Sequence, residues 1–200
     1  MVPEAPLEET DHGLVPSGDG WFVLNAREAR WRHREGISGL LFDGDTEFPQ
    51  VGINLFVLAP GMRMAMYHRE ADQEDFLVLA GEALLIVEGE ERPLVQWDFV
   101  HCPPGTSHTI IGAEKTPCVV LAVGAREHQG TAGWGAYTVD EAALRHGVGV
   151  EQETTDEEVA YAGTPPSEPT RYREGWLPTT KTAANHNRSG GESRPAEAGD

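Results

Sequence analysis

Basic charge is scarce in this chain. Fifteen lysines and arginines stand against 33 acidic residues, a formal net charge of −18 over 200 residues. Such a balance opposes binding to nucleic acid or to an anionic membrane by simple attraction, and it favours solubility. Cysteine is scarcer still. Cys102 and Cys118 lie in apolar, strand-like runs, which suits buried thiols and excludes a disulfide scaffold. No stretch approaches the length of a membrane-spanning helix. The opening residues, Met1-Val-Pro-Glu-Ala-Pro-Leu-Glu-Glu, carry neither a basic region nor an apolar run, so they do not read as a signal peptide. A reduced, cytoplasmic protein is expected. There is no internal repeat. No helix-turn-helix segment is visible, which weakens a regulatory, DNA-binding reading. The apolar share of 39% is modest for a fully packed globule and fits a compact core carrying polar arms.

The punctuation of the chain predicts strands. Residues 1–18 are rich in Pro, Glu and Gly and are expected to form a flexible N-terminal arm. Residues 19–48 begin with a short strand, Trp21-Phe-Val-Leu24, followed by a brief helix capped by Asn25 with Glu28 completing a capping box. The cluster Arg27, Arg30, Arg32, His33 and Arg34 could form a phosphate-binding patch, but pairing with the chain's own carboxylates is the expected reading. From residue 49 to 126, short β-rich runs alternate with Gly and Pro: Val51–Leu58, Asp75–Leu79, Ala83–Val87, Leu94–Trp97, Phe99–Cys102, His108–Ile111 and Cys118–Val123. That spacing argues for an antiparallel sandwich or barrel. Residues 127–164 hold two helix starts, Thr138-Val-Asp-Glu141 and Thr155-Asp-Glu-Glu158, read as capping boxes. Residues 165–200 read as an extended, largely disordered tail, with Tyr172, Trp176 and Leu177 able to dock back onto the domain.

Two segments gather groups that can hold a metal ion. The first runs from Gly61 through His68, Glu70 and Glu74 to Gly81; the second runs from Trp97 through His101, Pro103 and Gly105 to His108. Side chains alternate along a strand, so His68 and Glu70 share a face. Imidazole and carboxylate together suit a divalent transition metal such as iron, manganese, nickel or zinc.

These segments resemble the paired motifs of the cupin superfamily. The first motif is usually Gly, His-x-His, three or four residues, Glu, six residues and Gly; this chain has Gly61, His68-x-Glu70, three residues, Glu74, six residues and Gly81. The second is usually Gly, five residues, Pro-x-Gly, two residues and His; this chain has Trp97, five residues, Pro103-Pro-Gly105, two residues and His108. Three departures stand out: Glu70 replaces the second His, Trp97 replaces a Gly, and the leading gap has six residues instead of five. The resemblance implies an all-β, cupin-like double-stranded β-barrel (a jelly roll), here with short C-terminal helices.

It also implies a metal site of His68, Glu70, Glu74 and His108. A one-residue slip would hand the place of Glu74 to Gln73 or Asp75. Glu70 has three readings: a fourth ligand, which strand parity favours; a general base beside a His68–Glu74–His108 triad; or an outward charge. As a ligand, Glu70 brings a divalent site to net zero, where three His and one carboxylate leave +1. Such a site is less suited to anionic chelating substrates. His101 could support a ligand carboxylate or be structural, and Met64, Met66, Tyr67 and Trp97 could line a pocket or belong to the core. The function implied is a metal-binding cupin with a pocket for a small organic molecule, open to metal-dependent enzyme chemistry of the dioxygenase, isomerase or lyase type. The alternatives are a non-catalytic binding or sensing module and a metal-free structural barrel. A homodimer is expected, because a small barrel has strand edges to cover and the arm with Trp21, Phe22 and Val23 could swap.

Overall fold

A computed structural model describes residues 1–113 and 115–178. Fourteen strands and two short helices follow one another as β1 (Leu7–Thr10), β2 (Gly13–Pro16), β3 (Arg30–Arg34), β4 (Ile37–Leu41), β5 (Val51–Leu58), β6 (His68–Glu70), β7 (Glu74–Ala80), β8 (Glu82–Val87), β9 (Glu90–Val95), β10 (Phe99–Cys102), β11 (His108–Gly112), β12 (Cys118–Ala125), β13 (Gly135–Tyr137), α1 (Glu141–Arg145), α2 (Glu157–Ala160) and β14 (Glu168–Arg171). A seven-stranded sheet has the order β10-β7-β12-β5-β4-β3-β14, and a five-stranded sheet has the order β13-β6-β11-β8-β9. All strand pairs in both are antiparallel. The fold is the expected all-β jelly roll with short C-terminal helices.

Strand parity builds the core. In β5, Phe56 and Leu58 face inward; in β12, Cys118, Val120 and Ala122 do; in β7, Phe76 and Val78 do. They meet Ala83, Leu85 and Ile110 of the other sheet. The intervening residues Leu55, Val57 and Val119 point outward and are buried under Trp31, Tyr172 and Trp176. The outer face of the five-stranded sheet is covered by Ala142 and Ala143 of α1 over Ile86 and Ile111. Both sheets are therefore buried on two faces, which explains the continuous apolar runs of β5, β11 and β12.

Turn chemistry sets the register. Glu88 and Gly89 both have positive φ, 48° and 82°, so β8 and β9 are joined by a two-residue turn whose twist matches the strands. Consequently β9 starts at Glu90, earlier than the apolar run at Leu94 suggests, and its Pro93 is tolerated because β9 is a sheet edge.

Several local expectations are corrected. Residues 1–18 are not a loose arm: β1 and β2 form a hairpin, and Ala5 and Val15 are buried. Trp21–Leu24 is no strand, since only Trp21 makes a single bridge, to Glu4. Asn25 closes a turn, its Oδ1 accepting from the Arg27 amide at 2.9 Å, and starts no helix. The helix caps are Asp140 and Asp156, not Thr138 and Thr155: the Asp140 carboxylate accepts from the Ala143 amide and that of Asp156 from the Glu158 amide. The tail segment 165–178 is ordered by β14 and by Trp176 packing 5.2 Å from Trp31. The rest of the expected tail, 179–200, lies outside the described residues.

Candidate metal centre

β6 begins the site. His68 and Glu70 point inward, while Arg69 between them points out to Glu153. β6 is held from both sides: His68 pairs with His108 of β11, and Gly135, Ala136 and Tyr137 of β13 pair with Glu70, Arg69 and His68. Gly135 is required there, because a Cβ would stand 2.0 Å from the Arg69 carbonyl oxygen. The second motif is tied to the first by its turn, in which the Gly105 amide donates to the Glu70 carbonyl at 2.7 Å.

The two imidazoles are oriented alike. His68 Nδ1 lies 2.7 Å from the Met66 carbonyl, and His108 Nδ1 lies 3.0 Å from the Thr106 carbonyl. A carbonyl can only accept, so each Nδ1 carries a proton and each ring turns its Nε2 inward, where the neutral form offers a lone pair. Glu74 Oε2 sits 3.7 Å from His68 Nε2 and 3.4 Å from His108 Nε2. One donor atom from each of the three residues lies within 4.8 Å of the other two. His108 Nε2 and Glu74 Oε2 are buried with no hydrogen-bond partner. Leaving such atoms unpaired costs about 1–3 kcal/mol each. Donors bound to one transition ion at roughly 2.0–2.2 Å stand about 3.0–3.5 Å apart. The donor set therefore fits a divalent cation: two lone pairs and a carboxylate already converge, and the cation would satisfy both orphaned atoms. Glu70 is as near to His68 as Glu74 is, but it has no oxygen within 4.8 Å of all three converging donors. Its Oε1 is 3.6 Å from His68 Nε2, and its side chain is 31% exposed.

The electrostatics match. Burial, opposed by the charge of His68 and reinforced by Glu70, pushes Glu74 up to about 7. Burial and the neighbouring His68 push His108 down to about 4. Burial lowers His68, but Glu70 and Glu74 outweigh it and the net shift is upward. A buried carboxylic acid whose folded pKa is raised contributes stability at low pH that is lost as pH rises through 7, and His68 has the same sign. His108, with a depressed pKa, contributes stability present above its unfolded value of 6.5 and lost as pH falls through about 4. In chelator-treated protein the contributions of Glu74 and His108 oppose each other up to about pH 6.5, so the melting temperature is expected to fall only from there as pH rises through 7, and Glu74→Gln should remove that fall and unmask the rise that His108 gives between about pH 4 and 6.5. A flat profile across that range, measured by calorimetry, would contradict the buried carboxylate.

A cavity of about 430 Å³ opens from this centre between the sheets. It exists because the facing wall is built of small residues, Gly52, Ala122 and Gly124, while Phe56, Met64, Phe76 and Trp134 supply the apolar lining. Asn54 and Arg126 add polar groups. Arg126 is fixed by hydrogen bonds to Asp43 at 2.8 Å and to the Phe48 carbonyl at 2.9 Å. At the mouth, Asp72 accepts from both the backbone amide and Nδ1 of His128, each at 2.7 Å. With Glu127 this makes a second carboxylate–imidazole group, but its hydrogen bonds are already satisfied as a loop latch.

Of the residues expected near the pocket, Met64 lines it. The structure does not bring the others there. His101 faces outward and pairs with Asp75 at 2.6 Å, because Asp75 lies on the face of β7 opposite Glu74 and Phe76. Met66 packs with Tyr137 and Ala160, and Tyr67 packs beneath α1. Residues 62–66 form no continuous strand, so Met64 and Met66 do not share a face. Trp97 is 66% exposed, in a turn with φ of 78°; that angle is the physical reason a Gly is usual at this place. Asn54 and Phe56 carried a legible signal in their parity on β5. Trp134 comes from a loop beyond the barrel and carried none.

Residues 54–124 match the family model of the cupin domain. That segment of the chain is a cupin domain. Among solved structures it is similar to a cupin-superfamily sugar phosphate isomerase from Silicibacter pomeroyi, at 30% identity over 46% of this chain and 60% of that one, with a TM-score of 0.41. A protein described as a sugar phosphate isomerase from Acidithiobacillus ferrooxidans is also 30% identical, over 38% of this chain and 51% of that one, with a TM-score of 0.37. A DMSP lyase from Ruegeria pomeroyi is 20% identical over 50% of this chain and 58% of that one, with a TM-score of 0.43. The chain thus spans between half and three-fifths of the length of these three relatives. No curated protein matches it. Among the described residues no helix is long and apolar enough to cross a membrane.

Proposed function

We propose that the chain binds one divalent transition metal ion (iron, manganese, nickel or zinc) through His68, Glu74 and His108, and that the adjoining cavity takes a small organic molecule. The observation that carries this reading is the convergence of two Nε2 lone pairs on Glu74 Oε2, with His108 Nε2 and Glu74 Oε2 both buried and unpartnered. A bound ion would supply a Lewis acid next to the cavity. Glu70 is the general base: it is part-exposed, lines the cavity and stands outside the converging trio. Isomerase or lyase chemistry, in which a proton is taken from carbon, uses that arrangement best. The polar lining weighs against a structural barrel, whose interior would be plugged by apolar side chains.

Elemental analysis of protein purified without chelator or His-tag tests the reading. About one transition ion per chain is expected, and protein that neither retains nor takes up such an ion would refute it. Glu70→Gln separates the roles of the two glutamates. It is expected to keep metal affinity within about threefold while abolishing turnover, whereas Glu74→Gln should lose the metal. Equal metal loss in both variants would make Glu70 a ligand.

We also propose that the chain pairs as a homodimer. Val95, Trp97 and Phe99 are 53%, 66% and 64% exposed, at alternate positions on the β9–β10 connection at the sheet edge, a concentration of apolar surface that a second copy would cover. Light scattering at micromolar concentration should report twice the chain mass; a monomer there rules the dimer out.

A further inference from the structure

A second cleft, of about 390 Å³, lies on the outside of the barrel and is lined by Arg34, Arg63, Met62, Met66 and Thr164. It is separated from the metal cavity by the segment 62–66, whose Met64 faces the other way. The charge inside it is anomalous. In a chain at −18, seven arginines pair with carboxylates: Arg27, Arg30, Arg69, Arg92, Arg126, Arg145 and Arg171. Arg34 and Arg63 form no ion pair among the described residues, yet they are gathered on one ring. The Arg34 guanidinium lies 5.3 Å, and that of Arg63 5.9 Å, from the Tyr161 centroid. Stacking on a tyrosine face offsets only part of the cost of bringing like charges together. Arg63 is also held in place, its Nη2 donating to Thr164 Oγ1 at 2.8 Å, while its Nε is buried with no acceptor. Two part-buried guanidinium groups, one pre-oriented and one donor short of an acceptor, are what a compact oxyanion needs.

We propose that this cleft binds phosphate, free or as the phosphate group of a small metabolite. Glu35 is the carboxylate lining it, so the local sum over Arg34, Arg63 and Glu35 is +1. Glu157, one turn before Tyr161, is an acidic group whose charge also reaches the ring. The field of the whole chain opposes an anion, but it is screened beyond about 8 Å at physiological salt. Binding is therefore weak and salt-sensitive, with a dissociation constant of about 1 mM.

The test uses the full ¹⁵N-labelled chain after chelator treatment, titrated at constant ionic strength with inorganic phosphate and with glycerol 3-phosphate. The reporter is the Arg63 Nε–Hε resonance. A saturable shift is expected with either ligand, weakened at least about tenfold in Arg34→Gln, as read from the same resonance. In Arg63→Gln the backbone amides of residues 160–164 should no longer respond. Tighter binding of glycerol 3-phosphate would identify a phosphate-bearing metabolite; equal binding would identify free phosphate. A non-saturating drift that chloride reproduces, or saturation unchanged in Arg34→Gln, overturns the site. Because the protein is metal-free throughout and His108→Ala should bind phosphate equally well, failure here is distinct from failure of the metal reading.

Discussion

His108→Ala is expected to lower metal affinity at least about a hundredfold and to leave the barrel folded. Losing a partner that merely orients a ligand costs about 10–100-fold, and His108 is a candidate ligand itself, one of three. The side chain is 1% exposed and begins β11, opposite His68. The rest of that strand, with Ile110 fully buried, does not depend on it. Titration with a competing chelator gives the affinity, and circular dichroism checks the fold. A variant that binds metal as the parent does would mean that Glu74 and His68 act without it, and the proposed centre would be wrong. A variant that loses both metal and fold would leave the same question to His68→Ala, whose ring lies at the end of three-residue β6 and supports less of the core.

Trp31→Ala is expected to destabilise the protein by about 3–5 kcal/mol, the range for removing a fully buried aromatic side chain. Natural domains have only about 5–15 kcal/mol in all. Trp31 is 0% exposed, its Nε1–H donates to the Ala26 carbonyl at 2.7 Å, and it receives Tyr172 and Trp176 from the C-terminal segment. The loss is therefore also expected to release β14, which pairs with β3. Urea unfolding measures the first effect, and hydrogen exchange over residues 168–177 measures the second. A loss below about 1.5 kcal/mol would show that the outer layer is not part of the cooperative core.

Much of this was legible in the chain. His68, Glu74 and His108 were identifiable because alternation on strands and the Pro-Pro-Gly turn constrain where side chains go, and those constraints are local. Glu70 was placed on the correct face for the same reason, but parity cannot say how far a carboxylate reaches. His101 and Trp97 were misread because their roles depend on inter-strand register, which the chain shows only once β10 is laid against β7. The hairpin of residues 1–18 was missed because its strands carry few apolar residues and gain their burial from neighbours distant in sequence. Trp134 and Arg126 reach the cavity through tertiary placement alone.

The pairing of β6 bears on what counts as a unit in this molecule. The segment that matches the cupin family ends at residue 124, yet β6 is flanked on one side by β13, residues 135–137, and the carbonyl that orients His68 belongs to Met66, whose amide donates to the Tyr161 hydroxyl at 3.1 Å. Excised at the family boundary, the barrel would retain every candidate ligand while losing the scaffolding that aims one of them. The smallest unit that would hold the proposed ion is thus longer than the segment that matches the family, and sequence drift between residues 135 and 161 would retune the proposed centre without touching a single candidate ligand.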